Sequence, residues 1–137
     1  MEKTLLIIKP DAVSRSLIGE IIARVEKSRF KIKALKMVQL KPDQARKFYA
    51  VHEGKPFLEE LVAFISCGSV VPVLLEKENA VADLRKLIGA TDPKKADCGT
   101  IRYDWAIDMG KNSVHASDSP ENAKTEIEFF FPKSEGK

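Results

Sequence analysis

Four apolar residues in a row, Leu5-Leu6-Ile7-Ile8, are stopped by Lys9-Pro10-Asp11. A run this short, bounded by turn residues, reads as a buried strand. The spacing then changes. Ile18, Ile21, Ile22 and Val25 recur at three and four residues, the pattern of an amphipathic helix ending near Arg29. The chain therefore has to bury strands against helices, and the segments that follow repeat the demand. Phe30 through Leu40 reads as a second strand, stopped by Lys41-Pro42-Asp43. Asp43 can cap a helix there, with Ala45, Phe48 and Tyr49 on one face. Phe57, Leu61 and Phe64, beside Leu58, Val62 and Ile65, make another helix.

Val70 to Leu75 is the third strand. Pro72 inside it has no N–H for a ladder, which implies an edge position or a bulge. Ala80, Val81, Leu84 and Ile88 form a helix ending at Gly89. From Gly89 to His115 there is little periodicity, and Pro93, Gly99 and Gly110 mark a long loop. Ser119 or Asp118 can cap a helix through Pro120 and Glu121, and Phe129-Phe130-Phe131 reads as the last strand. The order is a βαββαβ pattern with insertions. It predicts an α+β, ferredoxin-like antiparallel sheet with helices on one face and a long loop insertion before the histidine.

At 137 residues the chain suits one domain, 1–137, with a real core. No run approaches the ~18 apolar residues of a membrane span, which argues against a membrane partner. Met1-Glu2-Lys3-Thr4 leads straight into the first strand and has no signal-peptide pattern. Cys67 and Cys98, the two cysteines, make neither a metal-ligand spacing nor a disulfide framework. Free thiols in a reducing cytoplasm are the simplest reading. Net charge is +3 with acids and bases interspersed, too small an excess to make nucleic acid the main partner. Lys31, Lys33 and Lys36, alternating with Ile32, Ala34, Leu35 and Met37, read as the wet face of a strand.

The chemistry concentrates in Asn112-Ser113-Val114-His115-Ala116-Ser117-Asp118, just ahead of the last helix start. A neutral imidazole is nucleophilic and can carry a transferred group. A lone His in such a loop is ordinarily a solvated surface residue, so the rest of the chain decides. Phosphoryl transfer runs on positioning and charge neutralisation. Arg85 and Arg102 can fork onto phosphate oxygens, Thr91 can add a hydroxyl, and Lys9 sits at the end of the first strand. There is no Walker A pattern and no Gly-x-Gly-x-x-Gly, so a nucleotide here is not held by a glycine-rich cradle. Phe57 can stack on a base.

With these residues in place the chain resembles the nucleoside diphosphate kinase family. The resemblance runs from Thr4-Leu5-Leu6-Ile7-Ile8-Lys9-Pro10-Asp11-Ala12-Val13 to Glu126-Ile127, and its strongest segment is Asn112 through Ser119. Matching stretches between them include Phe48-Tyr49-Ala50-Val51-His52, Lys55-Pro56-Phe57, Gly89-Ala90-Thr91-Asp92-Pro93 and Gly99-Thr100-Ile101-Arg102. It implies a ping-pong reaction in which His115 takes the γ-phosphate of ATP or another nucleoside triphosphate and passes it to a nucleoside diphosphate. It also implies that Nδ1 attacks while Glu126 faces Nε2, with Ser117 nearby. Lys9, Tyr49, Arg85, Thr91, Arg102 and Asn112 match positions around the phosphates and sugar. Phe57 matches the stacking aromatic, with Leu61 beside it. Asp118 matches an acid near Mg²⁺, acting through water, with the phosphates as the main ligands. The family forms homo-oligomers, tetramers or hexamers built from dimers. His52 matches no catalytic position, which leaves a helix-surface or interface role.

Several positions depart from the family's usual residues. Met109 stands where a small branched residue lines the base site, and its longer thioether still packs. Ser16 and Arg29 replace glycines, and Ser69 stands where proline is usual. Two other classes compete with the enzyme reading, a nucleic-acid-binding or regulatory module on the same sheet and a dead scaffold. The first wants aromatics interleaved with basic residues on strands, which this chain lacks. The second requires a lost nucleophile or clamp, and none is missing. Because the attacking imidazole nitrogen must be unprotonated, activity should fail at low pH as imidazolium forms, which a pH–rate profile checks.

Overall fold

The computed structural model describes residues 1–50, 53–108 and 111–132. Among them the chain runs β1 (Glu2–Ile8), α1 (Pro10–Ser14), α2 (Ile18–Lys27), β2 (Lys31–Leu35), α3 (Pro42–Phe48) and α4 (Leu58–Ile65). It continues with β3 (Val71–Lys77), α5 (Ala80–Ile88), a 3₁₀ turn (Pro93–Lys95), α6 (Ile101–Trp105), β4 (Val114–Ala116) and α7 (Pro120–Phe130). The four strands form one sheet in the order β2-β3-β1-β4, every neighbouring pair antiparallel. This is the ferredoxin-like arrangement expected from the sequence.

β1 lies inside the sheet, paired with β3 from Glu2↔Lys77 to Ile8↔Val71 and with β4 from Leu6↔Ala116 to Ile8↔Val114. Leu5, Leu6, Ile7 and Ile8 are all 0% exposed, although successive strand side chains point to opposite faces. Both faces must therefore be covered. Leu6 and Ile8 join α2, α5 and α6 through Ile21, Leu84 and Ile101. Leu5 and Ile7 join α3, α4 and α7 through Phe48, Val62 and Phe130. The expectation of helices on one face is corrected: there are three layers. The signal was the unbroken apolar run itself, since a strand wet on one face alternates. Each of these side chains contributes about 1.5–3 kcal/mol through burial.

Pro72 does not sit at an edge, because β3 pairs on both sides. Its carbonyl accepts from Lys36 N–H at 3.3 Å, and N and O of one antiparallel residue point the same way. Its missing donor therefore faces the point where β2 has already ended at Leu35. The bulge lies on β2, between Ile32 and Ala34. The second strand is shorter than the sequence implied, and beyond it Val38 and Val70 exchange N–H···O bonds of 3.0 and 2.8 Å.

Phe129 and Phe130 close α7 and are not a strand. Ser119 Oγ accepts from Asn122 N–H and starts that helix, and Ala123 and Phe130 fall on its buried face. A short apolar run does not separate strand from buried helix, and here the cap upstream decides. α3 begins at Pro42, with Lys41 N–H held by the Gln44 side chain at 2.9 Å, so Asp43 is inside the first turn and does not cap it. The long loop also contains more structure than expected. Thr100 Oγ1 accepts from Tyr103 N–H to start α6, and Val114–Ala116 forms the edge strand β4.

Ser16 and Arg29, the two departures from glycine, have φ of +62° and +73°. This left-handed region costs an L-residue about 1–2 kcal/mol, partly offset by the smaller unfolded-state entropy it brings. Ser16→Gly and Arg29→Gly are each expected to raise stability by about 0.5–1 kcal/mol, read from urea unfolding midpoints at unchanged m.

Candidate active site

β4 is only three residues long, and its alternation builds the site. Val114 and Ala116 fill the core shared with α5, while His115, opposite Ile7, projects to the face carrying α3 and α7. There its Nε2 lies 3.0 Å from Glu126 Oε1, and the same oxygen accepts from Ser117 Oγ at 2.6 Å. Facing a carboxylate, Nε2 keeps its proton and donates it as a hydrogen bond, which leaves Nδ1 with the lone pair. The Phe48 ring stands edge-on to the imidazole, centroids 5.5 Å apart at 73°. Ring and carboxylate are held at 22% and 14% side-chain exposure.

His115 lines a cleft of about 850 Å³, the size range of a small-molecule site. Cations from separate parts of the chain meet there: Lys9 at the end of β1, Arg85 on α5, Arg102 on α6 and Lys111 in the loop before β4. Arg85 donates to Ala116 O at 3.3 Å. Arg102, 5% exposed, donates to Gly89 O at 3.1 Å and Val114 O at 2.9 Å. Gly89 is required at that turn. Its φ is +89°, and a Cβ would stand 2.5 Å from Thr100 Oγ1. Lys9 Nζ donates to Asn112 Oδ1 at 2.9 Å, and Asn112 Nδ2 reaches Thr91 O at 3.4 Å. On the outer wall, Phe57 is 43% exposed and Leu61 follows one turn later on α4.

The family model described as "Nucleoside diphosphate kinase" matches residues 2–136. The chain belongs to the nucleoside diphosphate kinase family. It is similar to the nucleoside diphosphate kinase of Anaeromyxobacter sp. (strain K), 54% identical over 133 residues, covering 97% of this chain and 90% of that protein. The enzyme of Chloroherpeton thalassium is 55% identical over 135 residues, covering 98% and 96%. The Aquifex aeolicus nucleoside diphosphate kinase structure superposes with a TM-score of 0.95 at 46% identity, covering 98% of this chain and 97% of that one. That of Encephalitozoon cuniculi gives 0.95 at 38%, covering 100% and 93%.

Of the residues matched to the family in the sequence, Lys9, Tyr49, Phe57, Leu61, Arg85, Thr91, Arg102, Asn112, His115, Asp118 and Glu126 all line the one cleft. Ser117, fully buried, supports it through Glu126. Met109 and His52 lie outside the described residues. Sequence reasoning missed Phe48 and Asp11. Phe48 carried only the periodic signal of a core helix position. Asp11 resembled an ordinary first-turn acid after proline, and nothing local indicates that its Oδ2 accepts from Ser113 N–H at 3.0 Å.

Burial sets the electrostatics. It lowers Lys9 to about 8, with Arg102 adding to the fall and Asp11 opposing it. Arg102 is lowered to about 10, first by burial and then by Arg85. Tyr49 is pushed up by burial and by Glu126, so its phenol stays neutral. Among the described residues no three His, Cys, Asp or Glu side chains group as a metal cage. Asp118 shares the cleft lining with Glu60, Asp108 and Glu126, and its Oδ1 accepts from Asn122 Nδ2 at 2.6 Å. One carboxylate fits a Mg²⁺ ion that arrives with phosphates and keeps its waters.

A cation with a lowered folded pKa is half neutral near pH 8, and phosphate favours its charged form. Nucleotide binding to this protein is therefore expected to take up a proton as pH rises above about 8, with affinity falling through the same range. Calorimetry in buffers of different ionisation enthalpy measures the uptake, and Lys9→Gln should remove it.

Proposed function

We propose that His115 is the phosphate carrier in a ping-pong transfer of the γ-phosphate from ATP, or another nucleoside triphosphate, to nucleoside diphosphates and deoxynucleoside diphosphates. The observation that carries this reading is the 3.0 Å contact of Nε2 with the Glu126 carboxylate, which favours the proton on Nε2 and leaves Nδ1 as the nucleophilic nitrogen of a residue lining a cleft that also holds Lys9, Arg85 and Arg102. In the first half-reaction the Nδ1–P bond forms, the bond from phosphorus to the β–γ bridging oxygen breaks, and the nucleoside diphosphate leaves. The ring gains positive charge as it attacks. The Glu126 carboxylate, held by Ser117 Oγ, stabilises that charge without taking the proton. The second half-reaction is the reverse with a new acceptor.

Arg85 and Arg102 suit the charge on the transferring phosphoryl oxygens, and Lys9 adds a third cation. Lys9 and Asn112, joined by a hydrogen bond, support binding of the ribose 3′-hydroxyl, with Tyr49 and Thr91 beside them. Phe57 and Leu61 support stacking of the base, which tolerates many bases because each has a π-face. When Mg²⁺ is bound with the nucleotide, near Asp118, it neutralises phosphate charge. Met109 is assigned to the base site on the sequence alone.

We propose one domain over 1–137 and an assembly of dimers into a tetramer or hexamer. Leu35 at the end of the edge strand β2 and Met37 just beyond it, 49% and 56% exposed, support an interface. A cytoplasmic location fits the exposed free thiols Cys67 and Cys98. Among the described residues no helix is long and apolar enough to cross a membrane.

Incubation with γ-labelled ATP and Mg²⁺, before any acceptor, should leave an acid-labile, base-stable phosphate on His115 that chases onto GDP, CDP and dTDP. Absence of label in folded protein would overturn the reading. His115→Ala is expected to lower turnover by at least about 10⁴-fold while nucleotide still binds. Arg85→Ala and Arg102→Ala should each lower kcat/KM by about 10²–10³. Only Arg102→Ala should also lower the unfolding midpoint markedly, since it strands the Gly89 and Val114 carbonyls.

A further inference from the structure

Asp11 is a buried carboxylate that the phosphotransfer scheme leaves without a task. It lies in the first turn of α1, 7% exposed. Its Oδ2 accepts from Ser113 N–H at 3.0 Å, across 102 residues of sequence, while Oδ1 is buried with no hydrogen bond among the described residues. Ser113 is itself unusual. It is fully buried with φ at +76°, a left-handed conformation that L-residues hold only where surroundings impose it. Two main-chain contacts impose it here. Lys9 N–H donates to Ser113 O at 2.9 Å, and Asp11 takes the Ser113 N–H. The β1–α1 junction thus grips one residue at both its donor and its acceptor. That residue separates Asn112, bonded to the Lys9 ammonium, from the start of β4.

We propose that Asp11 is a positioning residue of the phosphotransfer site, holding the Ser113 backbone in its left-handed turn and balancing the charge of the Lys9 ammonium. The first task sets where Asn112 and His115 stand relative to Lys9. The second keeps Lys9 protonated for phosphate. The charged groups facing Lys9 are Asp11 from α1 and Arg102 from α6. Arg15 faces Asp11, and Arg85 from α5 faces Arg102. Asp11 is the one anion in this set, so its charge opposes what burial and Arg102 do to Lys9. A neutral side chain of the same shape would keep the hydrogen-bond acceptor and lose that opposition.

The proposal rests on the phosphohistidine reading, and one experiment separates the two. Phosphoenzyme formation from γ-labelled ATP is followed by rapid quench from pH 6 to 10 for the wild type, Asp11→Asn, Asp11→Ala and Asp11→Ala with Ser113→Gly. In Asp11→Asn the alkaline limb of kcat/KM should move about one pH unit lower, with the acid limb in place. Asp11→Ala should lower kcat about ten- to a hundredfold. Glycine at 113, which accepts a positive φ without strain, should recover part of that loss. An Asp11→Asn profile that superimposes on the wild type overturns the proposal even if its unfolding midpoint falls, because a merely structural carboxylate would do only that. Asp11→Asn keeps the shape and one acceptor, so it decides the matter should Asp11→Ala not fold. No label on the wild type would instead sink the phosphohistidine reading itself.

Discussion

Burial of β1 on both faces is the constraint from which the site follows. A strand with Leu5 and Ile7 in one core and Leu6 and Ile8 in the other is locked in register and direction. Its end therefore delivers Lys9 to a defined place. The neighbouring edge strand needs only three residues to borrow that order. Val114 and Ala116 enter one core opposite Ile8 and Leu6, and His115 is driven to the other face opposite Ile7. There it meets Phe48 and Glu126, from helices that exist to cover Leu5 and Ile7. His115 is thus held by the same alternation that builds the two cores.

The site carries an electrostatic cost in return. Lys9, Arg85 and Arg102 share one cleft, two of them are buried, and burial and mutual repulsion depress both Lys9 and Arg102. Such an arrangement is unfavourable for the protein by itself, and the two main-chain carbonyls on Arg102 offset only part of it. A polyphosphate bound in this cleft would supply the missing countercharge. Most so when charge spreads over the transferring group, this is the form of preorganisation that stabilises a transition state. The strain at Ser113 belongs to the same account: it is local energy stored two residues from His115 and held by contacts from the β1–α1 junction.

Much of this was legible before any coordinates. The helices at Ile18, Leu58 and Ala80 followed from apolar spacing, and of the two caps open for α7, Asp118 and Ser119, the structure uses Ser119. The cleft residues were readable as a set because the resemblance ordered them along the chain. What failed did so for identifiable reasons. Phe129–Phe131 had no period to read. The strand at Val114–Ala116 is too short to show one. Pro72 suggested an edge because a missing donor is local information, whereas the end of its partner strand at Leu35 is not. Three-layer burial was present in the unbroken run of β1, and the βαββαβ order obscured it.

The sequence by itself determined which residue types were available for the chemistry, the order of strands and helices as far as α5, and the positions where glycine had been replaced. Those are properties of neighbours along the chain: period, cap and motif. Only the tertiary structure decided that Asp11 reaches Ser113, that Phe48 braces His115, and that Ser16 and Arg29 sit at positive φ. Each depends on groups brought together by packing or on a backbone angle imposed by it. Hydrogen bonds and ring contacts act over a few ångströms of space, and sequence separation carries no record of that distance.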